Sequence, residues 1–304
     1  MDDKTWIIGK DAALEDTIAS LRSLLEAHGF NPVEIASHNP IPHVWSVQLE
    51  DTDCPLCRAS GMGTSRDAAL ASAMGQFLER LACNYFFTPF YMGTSNPDFD
   101  FYHHPQERWY ASDVNWPRGL IDDPVLQAHY NPEGSLTPAH MVDTNSYDQE
   151  RGVCSLPYTR LSDGQTQWFP INLIGNLYDS NGMAAGNTPE EARVHALSEV
   201  LERHVKFRVV AEGISLPELP DEVLARSPRI LESLDTLRTR GLSVRVRDAS
   251  LGGKYPVINI SLLNPENGSC AASFGAHPRF EIALSRALTE LLQGRDLEQL
   301  ERFH

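Results

Sequence analysis

Apolar residues recur at helical spacing in five stretches of this chain and alternate like strands in several shorter ones. The first stretch, DAALEDTIASLRSLLEAHGF, puts Leu14, Ile18, Leu21 and Leu25 on one face and closes near Gly29. His43 to Leu49 alternates as a strand, and the GMGTS turn leads into a second helix whose apolar stripe is Leu70, Met74, Phe77, Leu78, Leu81 and Tyr85. Residues 88–150 are rich in Pro, Asn, Asp and aromatics and predict irregular structure with short elements. From Val153 to Leu177 the pattern returns to strands, with QWFPINLIGN the strongest of them. A third helix runs from Gly186 to Phe207, and LPELPDEV breaks the pattern after Ile214. A fourth helix at Ile230 to Arg240 follows, then strands at Ser243 to Arg247, Pro256 to Leu263 and Ala271 to Phe274, with NPENGS as a turn. The last helix, RFEIALSRALTELLQGRDLEQLERFH, is still in register when the chain stops, which points to a further C-terminal part. No flexible linker interrupts the series, so residues 1–304 predict one α+β domain with mixed sheets.

The third helix organises the rest. Thr188 is placed to cap it, Pro189 suits its first turn, and Glu191 stands three residues after the cap as a capping-box partner. Val194, Ala196, Leu197, Val200, Leu201 and Val205 form its apolar stripe, the expected core face. Glu191, His195, Glu199 and Glu202 fall on a different strip, and carboxylates stacked at such spacings repel unless a cation compensates them. The chain says nearly the same thing twice, as GTSRDAALASAMGQFLER from Gly63 and GNTPEEARVHALSEVLER from Gly186. In that alignment Gln76 matches Glu199, Glu79 matches Glu202 and Arg80 matches Arg203; Ser72, Gln76 and Glu79 share the polar strip of the second helix. A fainter copy begins at Gly275, where Arg286, Glu290 and Gln293 take the places of His195, Glu199 and Glu202. The alternative is that these are helices which merely pack, with ordinary solvated Glu and Arg outside.

Charge and cysteine content narrow the chemistry. A formal net charge of −16 argues against a nucleic-acid binder, which needs a basic face. No apolar run approaches a membrane span, and MDDKTWIIGK lacks the architecture of a signal peptide. Five scattered cysteines fit reduced thiols in the cytoplasm, and CPLC (Cys54, Cys57) has no second CxxC to complete a zinc site, so packing or surface thiols are expected. His103 and His104 are adjacent, not at helical ligand spacing, and are expected at the surface. Lys10 precedes the first helix and is in a place to reach a phosphate, although no P-loop motif is present; a solvated lysine is the other reading. SNGMAAG is a small-residue turn into the third helix, where backbone N–H groups can approach an anion or simply make a tight turn.

GKDAALEDTI, the helices ending in QFLER and EVLER, SNGMAAGNT, and GAHPRFEIALSRALTELLQGR together resemble the YcaO family, over essentially the whole chain and closest to its stand-alone enteric branch. The resemblance implies a non-P-loop ATP-binding fold with three site-bearing helices. It implies ATP- and Mg²⁺-dependent activation of a peptide backbone amide, whose oxygen attacks a phosphate ahead of ring or thioamide formation. For the stand-alone branch it implies assistance to methylthiolation of a ribosomal protein.

Carried over by position, Glu79, Glu199 and Glu202 would hold Mg²⁺, with Glu191 and Asn187 in the same metal and phosphate site. Glu191, Glu199 and Glu202 are the catalytic candidates. Lys10, Arg203 and Arg286 would neutralise phosphate, Glu290 and Gln293 lie on the neighbouring strip, and Thr17, Ser72 and Ala184 complete the nucleotide contacts. Gln76 stands where the family motif has glutamate, removing one charge from the metal set and implying slow turnover. The proline-rich C-terminus used by cyclodehydratases and the helical extension of the stand-alone branch are both absent. The implied partners are a peptide or ribosomal-protein substrate, with a methylthiotransferase and a second copy of the chain as candidates, and neither nucleic acid nor membrane. The competing function is a non-catalytic ATP-binding scaffold or sensor using the same pocket.

Overall fold

The computed structural model describes residues 4–88, 104–113, 115–144, 146 and 148–296; His103 lies outside the described residues. Contacts divide the chain into two units, Met1–Glu79 with Asn181–His304, and Arg80–Ser180. The first unit opens with α1 (Leu14–Ala27), which buries Leu14 and Leu25 while Ile18 and Leu21 are half-covered. Three antiparallel strands follow in the order β1 (Pro32–Ile41), β2 (Val44–Asp51) and β3 (Arg58–Gly63). The CPLC segment is the β2–β3 connection, closed by Cys57 N–H donating to the Cys54 carbonyl at 2.8 Å. Neither cysteine forms a disulfide and both are buried, and burial first, then Cys54, pushes the Cys57 thiol up, so they are packing thiols. The helix α2 (Arg66–Ala82) then buries Ala69, Ala73, Met74 and Phe77. Its buried edge is richer in alanine than the predicted stripe, and Leu70, Leu78 and Leu81 are only half-covered.

The second unit carries its own antiparallel sheet of β4 (Arg108–Tyr110), β5 (Val153–Thr159) and β6 (Thr166–Pro170). A short helix, α3 (Pro124–Tyr130), is capped by Asp123, whose side chain accepts from Val125 N–H at 2.8 Å. Leu120, Ile121, Met141, Val153 and Leu173 form its apolar core. The strand expected through INLIGN ends at Pro170 and becomes a π-helical turn, Leu173–Tyr178. Proline has no N–H for the ladder, so pairing cannot continue through it undisturbed. His104 is half-buried, its ring edge-on to Phe87 with centroids 4.9 Å apart, rather than at the open surface.

Back in the first unit, α4 (Pro189–Glu212) is followed by the single turn α5 (Asp221–Leu224), then α6 (Pro228–Thr239), β7 (Ser243–Asp248), β8 (Val257–Leu263), β9 (Cys270–Ala276) and α7 (Phe280–Leu291). The α6-β7-β8-β9-α7 series repeats α1-β1-β2-β3-α2, element for element and with the same antiparallel order. Two glycines show why the copies pack alike. A Cβ at Gly61 would sit 2.1 Å from the Ala69 carbonyl oxygen and the Ala73 nitrogen, and one at Gly275 would sit 2.2 Å from the Ala283 oxygen and 2.4 Å from the Ala287 nitrogen. Each helix therefore lies directly on the backbone of its preceding strand, with two alanines at the crossing. Around the second crossing Leu234 and Leu237 of α6, Ile260 and Leu262 of β8, and Leu284 and Leu288 of α7 form an extensive apolar core, each worth ~1.5–3 kcal/mol when fully buried. The final helix stops short of the expectation: Gly294 takes φ +67°, and Gln293 lies in the turn beyond Leu291 rather than on the helix.

Candidate functional site

The alanine spacing of the two strand–helix crossings occurs a third time, as Ala184, Ala192 and Ala196 at the start of α4. No strand precedes this helix; the SNGMAAG turn does. Thr188 caps α4 by accepting from Glu191 N–H at 3.1 Å, and its hydroxyl also bonds to Asp11. The expected apolar stripe divides along the helix: Leu197 and Val200 are turned outward, 64% and 50% exposed, whereas Val205 is buried as expected. The buried residues of α4 are Glu191, Ser198, Glu202 and Val205. Only its C-terminal half meets an apolar core, through Val205 and Val209 beside Val257, Phe274 and Ala276. The N-terminal half instead faces polar groups of the 8–11 segment, the 182–187 turn and α7. There, charge compensation and hydrogen bonds offset the cost of burying carboxylates.

Glu191 is the best-satisfied of them. Its Oε1 accepts from Lys10 Nζ at 2.7 Å, and its Oε2 from Asp11 N–H at 3.1 Å and Asn187 Nδ2 at 3.0 Å. Asn187 Oδ1 in turn accepts from the Thr17 hydroxyl at 2.9 Å. Burial works to raise the Glu191 carboxyl, but Lys10, Asn187 and Asp11 N–H hold it below its ordinary value. Lys10, Thr17, Asn187 and Glu191 thus form one chain that clasps the N-terminal segment to α4. Gly9 makes that clasp possible by taking φ +83°, with Ile282 of α7 where a side chain would go.

A turn and more along α4 the chemistry changes. Glu199 Oε2 accepts from Gly182 N–H at 2.9 Å. Glu202 is 5% exposed, and its Oε2 has no hydrogen-bond partner among the described residues. Burial first, then the charges of Glu290 and Glu199, push the Glu202 carboxyl up to about 8 against the pull of Arg286 and Arg203. Glu290 of α7 is pushed upward for the same leading reason, with Arg286, Lys206 and Arg203 opposing. Arg286 Nε is likewise buried without a partner. An unpartnered acceptor and an unpartnered donor, among three carboxylates and three cations, form a site that asks for both a cation and an anion.

Other positions are less engaged. Gln76 Oε1 accepts from Ser60 N–H at 2.8 Å, tying α2 to β3, and Glu79 is half-buried one turn on. Ser72 is exposed on α2, Ala184 is half-buried in the turn, and Gln293 follows α7. Among the described residues no group of three His, Cys, Asp or Glu side chains converges as a ready-made metal cage. The donor set fits Mg²⁺ nonetheless, because that ion takes one or two carboxylates and fills its shell with phosphate and water. His277 is a site neighbour that the sequence reading passed over; burial first, then Arg286, lowers its ring. It occupies, ahead of α7, the repeat position that Gly186 holds ahead of α4, which is the signal that marks it.

A family model described as YcaO cyclodehydratase, ATP- and Mg²⁺-binding, matches residues 60–302. The chain is 52% identical over 302 residues to the ribosomal protein S12 methylthiotransferase accessory factor YcaO of Escherichia coli strain K12, covering 99% of this chain and 51% of that protein. An uncharacterized protein of Haemophilus influenzae is 52% identical over 305 residues, 100% of this chain and 52% of its own length. The chain therefore spans about half the length of the curated relatives it matches. Among solved structures, YcaO from Methanopyrus kandleri bound with AMPPCP and Mg²⁺ superposes with TM-score 0.55 at 19% identity, over 99% of this chain and 72% of that one. A heterocyclase in complex with substrate and cofactor gives TM-score 0.57 at 18% identity, over 96% and 41%. At those identities the likeness is one of fold. Among the described residues no helix is long and apolar enough to cross a membrane.

Proposed function

Because the chain belongs to the YcaO family, whose members are described as binding ATP and Mg²⁺, we propose that its buried acidic strip on α4 holds Mg²⁺ and the phosphates of ATP and that the bound nucleotide activates a backbone amide. The observation that carries this reading is Glu202, buried with an oxygen left unpartnered between Glu199 and Glu290. A structural helix would be expected to bury its whole apolar stripe; this one exposes Leu197 and Val200 and buries Glu191 and Glu202. Glu199 and Glu202, with Glu79 of α2 and Glu290 of α7, are the metal-holding residues. Arg286 and Arg203 are the cations for phosphate, and Lys10 holds Glu191. When bound, Mg·ATP supplies the phosphoryl group that turns an amide oxygen into a leaving group, a reaction governed mainly by positioning and charge neutralisation. By analogy with the Escherichia coli relative's name, the amide belongs to a ribosomal protein and the partner is a methylthiotransferase in the cytoplasm.

Calorimetric titration with Mg·ATP tests the site. Replacing Glu199 and Glu202 together by Gln abolishes binding while circular dichroism stays native; normal affinity in the folded double variant would remove the assignment. A second reading, ATP binding without turnover, is favoured by Gln76, an uncharged side chain whose oxygen already takes the Ser60 N–H. Phosphate release that rises with added ribosomal-protein peptide supports the catalytic reading. Release that ignores the peptide supports the scaffold.

A further inference from the structure

The junctions that lead into α2, α4 and α7 are alike in sequence, and the third differs at one position. Gly63 ahead of α2, Gly186 ahead of α4 and His277 ahead of α7 hold the same place in the repeat. A Cβ at Gly63 would sit 2.7 Å from Ala68 Cβ and Ala69 N, and one at Gly186 would sit 2.5 Å from Ala192 N. Neither junction has room for a side chain, so glycine is required there. The third carries an imidazole instead. The backbone N–H of His277 donates to the Pro256 carbonyl at 3.1 Å, carrying the β8–β9 pairing one residue past Val257 and Ala276. Its ring Nδ1 accepts from Arg279 N–H at 2.9 Å, which leaves the proton of the neutral ring on Nε2. Nε2 has no hydrogen-bond partner among the described residues. The Cε1–Nε2 edge lies against Gly9, where a Cβ would stand 3.8 and 3.9 Å from those two atoms and 2.6 Å from Ile282 Cδ1. The residue after Gly9 is Lys10, which donates to Glu191 at 2.7 Å. Arg286, with its buried and unpartnered Nε, follows Ile282 by one turn on the same face of α7.

We propose that His277 is a further ligand-binding residue, whose Nε2–H donates to a phosphate oxygen of the bound nucleotide alongside Lys10 and Arg286. This rests on the nucleotide-site reading above. Lys10 and Arg286 supply charge, whereas the imidazole supplies direction. Arg279 N–H holds the ring in one orientation and one tautomer, and Gly9 has no side chain to cover the edge that carries the proton. The ring is half-buried, and burial first, then Arg286, lowers it, so it stays neutral and keeps the tautomer that donates from Nε2. A fixed neutral donor orients a phosphate oxygen without setting a third cation beside the other two. The glycines of the first two junctions offer no such group.

The test separates the two ring nitrogens. In His277→Asn the amide oxygen takes the place of Nδ1 and still accepts the Arg279 N–H, but no group reaches the place of Nε2. In His277→Gln the longer side chain carries an amide N–H to the place of Nε2. Stability is read by urea unfolding without nucleotide, and Mg·ATP affinity by calorimetry. In His277→Asn the unfolding midpoint stays close to wild type while the dissociation constant rises roughly tenfold, the worth of one hydrogen bond to a charged acceptor. In His277→Gln the dissociation constant stays within about threefold of wild type. Affinity in His277→Asn within about threefold of wild type would overturn the proposal, as would equal losses in the two variants. So would a loss of affinity in His277→Asn matched by an equal loss of stability, because the ring would then be supporting the fold and not the ligand. Should His277→Asn fail to fold, His277→Ser, whose hydroxyl can also accept the Arg279 N–H, takes its place with the same expected loss. Wild-type protein that binds no Mg·ATP would overturn the nucleotide-site reading itself; wild-type binding with an unaffected His277→Asn would overturn the role of His277 alone.

Discussion

Replacing Glu202 by Gln changes one proton and almost nothing else. The carboxyl is pushed from its ordinary 4.5 up to about 8, first by burial and then by Glu290, so the folded protein keeps at neutral pH a proton that the unfolded chain has lost. The contribution of that proton to stability is full below about pH 4.5 and gone above about pH 8. Between those limits stability falls as pH rises, by up to ~1.4 kcal/mol per pH unit. From about pH 6 to about pH 9 the loss integrates to roughly 2–3 kcal/mol. Glutamine has the shape of the protonated acid and no proton to lose.

Urea unfolding in EDTA, without nucleotide, measures the effect. Wild type and Glu202→Gln should be close in stability near pH 6, and the variant should be more stable by roughly 2–3 kcal/mol near pH 9. Comparing the two proteins removes the other groups that titrate over the same range. Because Glu290 is also pushed upward, Glu290→Gln should show part of the same flattening. Parallel curves for wild type and Glu202→Gln would mean that Glu202 is ionised and compensated in the empty site, and the argument from its unpartnered oxygen would fail.

Four further outcomes follow from named contacts. Gly275→Ala forces a Cβ to within 2.2 Å of the Ala283 carbonyl and should cost roughly 3 kcal/mol or more by urea unfolding. Gly75→Ala, whose nearest neighbour would be 3.8 Å away in a helix, should be neutral or stabilising by ~0.5–1 kcal/mol. Lys10→Met removes a half-exposed cation from buried Glu191, so stability at neutral pH should fall by roughly 1–2 kcal/mol, discounted for solvent screening of the lysine. Since Glu191 is held below its ordinary value, that difference is present above its unfolded value and should vanish as pH falls through the folded one; unfolding at pH 7 and in acid checks the sign. Gln76→Glu retains an acceptor for Ser60 N–H and restores a charge, so phosphate release should saturate at lower Mg²⁺ and run faster; superimposable Mg²⁺ curves would put Gln76 outside the metal set.

Periodicity located most elements here because their apolar residues do pack: β7, β8 and β9 fall within a residue or two of their expected bounds, and α6 begins two residues early at Pro228. The duplicated unit was legible too, but in small residues rather than large ones. Gly61, Ala69 and Ala73 recur as Gly275, Ala283 and Ala287, a spacing that a search for apolar stripes does not weigh because it records backbone contact rather than side-chain volume. What periodicity could not give was the sense of α4. It finds two faces and assumes that the apolar one goes inward, an assumption that holds only when the neighbouring elements are apolar. The neighbours of α4 include Lys10, 181 positions away from Glu191, and Arg286 and Glu290 on α7, and no local window contains them. The repeated polar pair carried the missing information. Solvated glutamates on separate helices have no reason to keep a common spacing, whereas carboxylates that share one cation, as proposed above, would. Turning Glu202 inward beside Glu199 and Glu290 places Leu197 and Val200 of the same helix outward, while Val205, further along, still reaches an apolar core.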